Sequence, residues 1–171
     1  MADETHPNAD ALLAALQRDE SRRRRGRLKV FLGMCPGVGK TYAMLEAGHR
    51  ELRSGRDVVV GYVETHGRKE TDLLAAGLPR IPRKQLEYRG VALGEMDLDA
   101  LLARRADLVL VDELAHTNAP GGRHPKRWQD VMELLDAGVD VFTTLNVQHV
   151  ESRADTVRQA PGAEIRETVP D

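Results

Sequence analysis

The residues best equipped for chemistry lie in one run, Gly33-Met34-Cys35-Pro36-Gly37-Val38-Gly39-Lys40-Thr41. Gly37 and Gly39 allow backbone conformations that a Cβ would obstruct, so main-chain N–H groups can converge on an anion. A lysine followed by a hydroxyl residue supplies what a nucleoside triphosphate needs next. Lys40 reaches the β- and γ-phosphates, and the Thr41 hydroxyl ligates Mg²⁺. A helix starting within this run would add the positive end of its dipole. The cofactor-binding set is therefore Gly33, Pro36, Gly37, Val38, Gly39, Lys40, Thr41 and the adjoining Tyr42. In the strict pattern Gly-x4-Gly-Lys-Ser/Thr the first glycine would stand at position 34. Met34 occupies it and Gly33 lies one residue earlier, so the run is a variant. The competing reading is an ordinary glycine-rich turn between a strand and a helix. Cys35, the single cysteine, is either a thiol activated at a helix N-terminus or a small loop residue.

Asp112-Glu113 follows the apolar run Leu108-Val109-Leu110-Val111, about 70 residues after the phosphate loop. An aspartate at the tip of a buried strand can hold Mg²⁺, often through water, and binds cofactor together with Thr41. The glutamate beside it is the candidate catalytic residue, placed to polarise an attacking water. The alternative for both acids is a cap or turn. His116, Thr117 and Asn118 either contact the γ-phosphate or are loop polarity. Asn146 and Gln148 follow a later strand, where a polar group faces the ligand crevice of such sheets, and Asn146 joins the cofactor-binding set. Glu64 to Arg68 occupies the corresponding end of another strand. The six histidines show no metal-ligand spacing, so no zinc is expected.

These groups need a scaffold, and the alternation of elements supplies one. Leu28 to Leu32 reads as a buried strand and Thr41 to Arg53 as a helix ended by Gly55. Asp57 to Val63 is a second strand, Lys69 to Ala76 a helix, and Gln85 to Arg89 a weak strand. Asp97 caps a helix carrying Leu98, Leu101 and Leu102, and Asp107 to Val111 is the clearest strand. Pro125 suits a first helical residue, with Trp128, Val131, Met132 and Leu135 as the apolar stripe. Val139 to Leu145 is the last strand read. Nearly continuous apolar strands suit a parallel sheet covered on both faces. The expected fold is α/β, a mostly parallel doubly wound sheet of the P-loop NTPase type. Residues 1–26, with a short helix bearing Leu12, Leu13 and Leu16 and the run Arg22 to Arg25, form a leader. Residues 27–171 form the nucleotide-binding domain.

The chain of 171 residues suffices for one domain. A net charge of −2 argues against a dedicated nucleic-acid binder. No apolar stretch reaches the roughly 18 residues of a membrane span, and the N-terminus is not a signal peptide.

Several ordered segments resemble the N-terminal cytoplasmic domain of the KdpD family, osmosensitive potassium sensor histidine kinases. They are Gly26 to Gly33, Pro36 to Leu45, Val63-Glu64-Thr65-His66-Gly67-Arg68, Asp112-Glu113-Leu114-Ala115-His116-Thr117-Asn118, Thr144-Leu145-Asn146-Val147-Gln148-His149 and Arg166 to Asp171. The resemblance implies two-component signalling by a dimeric bacterial inner-membrane protein with this domain in the cytoplasm. The full kinase would phosphorylate a histidine and pass the phosphate to a response regulator controlling a potassium-uptake ATPase. ATP and Mg²⁺ here would tune the balance of kinase and phosphatase activity. The implied partners are the other domains of the same kinase and the cognate response regulator. This chain carries no phosphoacceptor helix or kinase core, and is expected to end before the domain's last strand or strands. The competing function is an autonomous P-loop ATPase or small kinase, and a third is an interaction module with a vestigial loop.

Overall fold

In the computed structural model, residues 6–23, 25–33, 38–146 and 163–169 are described. The elements in chain order are α1 (His6–Arg23), β1 (Leu28–Gly33), α2 (Val38–Arg53), β2 (Val58–Tyr62), α3 (Lys69–Ala76), β3 (Lys84–Tyr88), β4 (Val91–Glu95), α4 (Leu98–Arg104), β5 (Leu108–Val111), α5 (Arg127–Asp136), β6 (Asp140–Asn146) and β7 (Ala163–Val169). Among the described residues the main sheet has five strands in the order β2-β5-β6-β1-β7. Each neighbouring pair in it is parallel. This is the expected α/β architecture.

The strands read as unbroken apolar runs because both sheet faces are covered. Along β5, Val109 and Val111 join the core beneath α4 and α5, with Leu101, Val131, Leu134 and Leu135. Leu108 and Leu110 point the other way, into the core with Met44, Leu45 and Ala75 of α2 and α3. Burying each such side chain stabilises the fold by about 1.5–3 kcal/mol. α2 approaches the sheet closely at Gly48, where a Cβ would stand 2.6 Å from Leu110 Cδ1.

Four differences from the sequence reading have physical causes. α5 begins at Arg127 with Lys126 at its cap, so Pro125 precedes the helix instead of being its first residue. Asn118 N–H donates to Pro125 C=O, and Thr117 pairs with Lys126, so Lys126 is held in extended backbone and the helix starts after it. The buried face of α5 carries Arg127, Asp130, Val131, Leu134 and Leu135. Trp128 and Met132 lie at its margin, partly buried. The weak strand is half of an antiparallel hairpin with β4, turned by Arg89 at φ 52° and Gly90 at φ 77°. A fifth main-sheet strand, β7, pairs with β1; its Glu164, Arg166 and Glu167 break the apolar pattern that marks the other strands.

In the leader, Leu12, Leu13 and Leu16 are exposed. Arg25 forms an ion pair with Asp136 at 2.7 Å, and Gly26 N–H donates to Leu135 C=O at 2.8 Å. No helix among the described residues is long and apolar enough to cross a membrane.

Candidate functional site

β1, β5 and β6 end side by side, and α2 rises from beside them. Beside them opens a cavity of about 230 Å³ lined by Lys40, Thr41, His66, Asp112, Glu113, Ala115, His116, Thr144, Leu145 and Asn146. Of the residues expected from sequence, Lys40, Thr41, Asp112, Glu113 and Asn146 therefore share one cavity. Met34, Cys35, Pro36, Gly37 and Gln148 lie outside the described residues, as does the side chain of Val38. Val38 and Gly39 open α2, whose first turn carries no acidic residue to oppose an anion. Tyr42 is half-buried on the same helix and does not line the cavity.

Gly33 ends β1 directly behind Lys40. A Cβ there would stand 2.6 Å from both Lys40 Cγ and Cδ, and 3.2 Å from Nζ. The lysine stem thus lies across the bare backbone of Gly33, and Lys40 as a whole is buried. Only glycine leaves room for that path.

Asp112 is the best-connected acid of the cavity. Thr41 Oγ1 lies 2.9 Å and 3.1 Å from its two carboxylate oxygens. Thr144 Oγ1 donates to Oδ1, and the Glu64 N–H donates to Oδ2 at 3.0 Å. Burial pushes the Asp112 carboxyl above its ordinary range; the bonds from Thr144, Glu64 and Thr41 oppose the rise, while the charge of Glu113 adds to it. A bound cation would offset that burial cost.

Glu113 sits in the left-handed region at φ 58°, where a non-glycine residue is uncommon. Its N–H donates to Thr144 Oγ1 at 2.9 Å, and its C=O accepts from His116 N–H. These bonds hold the turn that exposes the Glu113 side chain at the cavity. Asn146, the partner of Gly33 across the β1–β6 ladder, has a buried Oδ1 with no hydrogen-bond partner among the described residues. A buried amide oxygen without a partner beside a cavity suits a ligand or ordered water.

Of His116, Thr117 and Asn118, only His116 reaches the cavity. Asn118 instead donates to His124 C=O and to Asp130, whose carboxyl is raised by burial and lowered by that same bond. Thr117 accepts from Lys126 Nζ at 2.7 Å. Arg68 is exposed at the cap of α3.

Behind the cavity lies a charged cluster with little local signal in the sequence. Arg127 is fully buried. Its Nη1 donates to the Asp112 carbonyl at 3.0 Å, and its Nη2 meets Glu95 Oε2 at 3.3 Å. Its N–H donates to His116 C=O, so one residue clasps both ends of the Asp112–His116 turn. The guanidinium rests on the Tyr62 ring, 3.8 Å from its centroid, and Arg83 covers the ring at 4.2 Å. Glu95 also accepts from the Ala119 N–H and meets His116 Nε2 at 3.0 Å. Among the cavity residues that the sequence reading gave no role, Thr144 carries a local signal, because a hydroxyl pair, Thr143-Thr144, interrupts an otherwise apolar strand.

The model of the family described as "KdpD: Osmosensitive K+ channel His kinase sensor domain" matches residues 24–171. The sensor protein KdpD of Escherichia coli K12 is 61% identical over 147 residues, covering 86% of this chain and 16% of that protein. The sensor protein KdpD of Clostridium acetobutylicum is 52% identical over 165 residues, covering 96% of this chain and 18% of that protein. That of Mycobacterium tuberculosis H37Rv is 54% identical over 148 residues, or 86% and 17%. The chain thus spans less than a fifth of the length of these relatives.

Proposed function

The chain belongs to the KdpD sensor-domain family, and on that premise we propose that it is an ATP-binding input domain of P-loop type. One observation carries the reading: Thr41 Oγ1 lies 2.9–3.1 Å from the Asp112 carboxylate, across 71 residues of sequence, in the cavity that also holds Lys40. Adjacent oxygen ligands of an octahedral Mg²⁺ at about 2.0–2.1 Å are separated by about 2.9 Å. The hydroxyl and carboxylate therefore fit the ion's donor set, and Thr41 and Asp112 would hold it. Mg²⁺ would supply charge neutralisation to the β- and γ-phosphates.

The residues divide the work. Gly33 clears the path of Lys40, whose ammonium neutralises phosphate charge. Val38 and Gly39 open α2, whose N-terminal N–H groups would face an anion. Asn146 offers either end of its amide to a phosphate or to a metal-bound water. In the full-length protein this domain would lie on the cytoplasmic side of the inner membrane, in a dimeric kinase. Nucleotide occupancy would shift its kinase and phosphatase balance toward the cognate response regulator.

Calorimetry with ATP, ADP and GTP, with and without Mg²⁺, tests the reading on wild type and Lys40→Ala. Tight Mg²⁺-dependent ATP binding, lost in Lys40→Ala, is expected; equal affinity in the two proteins overturns it. Glu113 at the cavity favours a second reading, an autonomous ATPase. That reading requires multiple turnovers that stop on Glu113→Gln, whereas an input domain shows slow or absent hydrolysis.

A further inference from the structure

β3 and β4 stand apart from the main sheet as a two-stranded hairpin. Their register sets Leu86 opposite Leu93 and Tyr88 opposite Val91, so four apolar side chains share one face. The opposite face carries Gln85, Glu87, Ala92 and Gly94. The apolar face is open at its outer end: Val91 is 57% exposed, and Tyr88 and Leu93 are exposed beside it. An isolated hairpin is marginally stable in water, and presenting its apolar face to solvent weakens it further. The outer end of this face contributes little to folding the domain that carries it.

The exposed charges bordering the face are positive, Lys84 at its root and Arg89 in the turn, while Glu95 on the same face is buried against Arg127 and His116. The Arg89 guanidinium lies over the Tyr88 ring, 5.1 Å from its centroid. A two-fold pairing of identical hairpins would bring these like charges together, which disfavours a second copy. Among the described residues the hairpin's outer edges have no strand partner, and burying open edges in hydrocarbon is costly, which disfavours lipid. The related sensor proteins hold more than four-fifths of their length outside the matching region. The root of the hairpin is Glu95, which meets both His116 in the cavity wall and Arg127 behind it.

We propose that the apolar face of the β3–β4 hairpin docks another segment of the sensor polypeptide, one that is apolar with acidic flanks. Aromatic and aliphatic side chains at the centre anchor such a contact, and a charged rim sets its partner. The shared root at Glu95 gives the docked segment a direct mechanical connection to the cavity. The docking itself rests on family membership and the hairpin, not on nucleotide binding.

The test places the photo-crosslinking residue p-benzoylphenylalanine at Val91 in the full-length sensor in its membrane. Leu73 on α3, 74% exposed, is the control position. Crosslinks from position 91 should map to an acidic, apolar segment of the same chain, several-fold above those from position 73. Arg89→Glu and Lys84→Glu should each lower the yield by up to about fivefold, the scale of losing an exposed ion pair. Crosslinking to the hairpin of a second copy, shown by mixing isotope-labelled chains, overturns the proposal. So does crosslinking to lipid alone, or a yield no greater than the control. Calorimetry on the same preparation reports nucleotide binding separately, so loss of one reading leaves the other measurable.

Discussion

Replacing Gly33 with alanine tests whether the bare backbone at the end of β1 is what positions Lys40. Gly33 does not have positive φ, so alanine brings no backbone strain. The new methyl would stand 2.6 Å from Lys40 Cγ and Cδ. Favourable carbon–carbon separations begin near 3.5 Å, so the lysine stem must retreat by about 1 Å. A flexible four-carbon stem can do so. Alanine also reduces the freedom of the unfolded chain, worth about 0.4–1 kcal/mol at a compatible site. The melting temperature should therefore stay within a few degrees of wild type. The displaced ammonium would lose a charge-assisted hydrogen bond to phosphate, worth about 1.5–3 kcal/mol. That predicts a rise in the Mg²⁺-ATP dissociation constant of roughly 10- to 140-fold. Calorimetry with parallel thermal melts reads both quantities. An unchanged ATP affinity in a normally folded variant would refute the role given to Gly33 and to the path of Lys40. A collapse of the melting temperature would refute it differently, by showing that the strand and not the lysine needs the glycine.

Asp112→Asn should weaken Mg²⁺-ATP more than metal-free ATP; equal losses in calorimetry would remove Asp112 from the metal shell. The same variant carries a pH prediction. Burial raises the folded-state pKa of Asp112, so the native protein holds its proton more tightly than the unfolded chain. This group's contribution to stability is therefore greatest below the unfolded value near 3.8 and falls as pH rises through the raised folded value. Without Mg²⁺, wild type should lose stability relative to Asp112→Asn across that window; a relative gain in melts against pH would contradict the assignment. Arg127→Met should destabilise by about 3–5 kcal/mol, because Glu95 loses its buried cationic partner. Adding Glu95→Gln should recover part of that loss, and strictly additive urea denaturation energies would show that the pair is not coupled.

The local sequence carried much of the scaffold. Unbroken runs such as Leu108 to Val111 announce strands buried on both faces, and Asp97 caps α4 through a bond to the Ala100 N–H, as its position implied. The run from Gly33 to Thr41 and the acid at position 112 stood out as candidates for chemistry because each follows an apolar strand. Their meeting at 2.9 Å did not, since separation along the chain does not fix separation in space. Apolar periodicity reports which positions prefer burial, and so it chose Trp128 and Met132 for the face of α5. The fold instead turned Arg127 and Asp130 inward, because Asp112 C=O, Glu95, Tyr62 and Asn118 were there to satisfy them. Likewise β4 and β7 are defined by the strands they pair with rather than by their own patterns. Sequence alone determined where most of the strands and helices lie along the chain, and which groups are candidates to meet a phosphate, through short-range preferences. Only tertiary structure decided which polar groups could be buried, because that depends on partners supplied from distant positions.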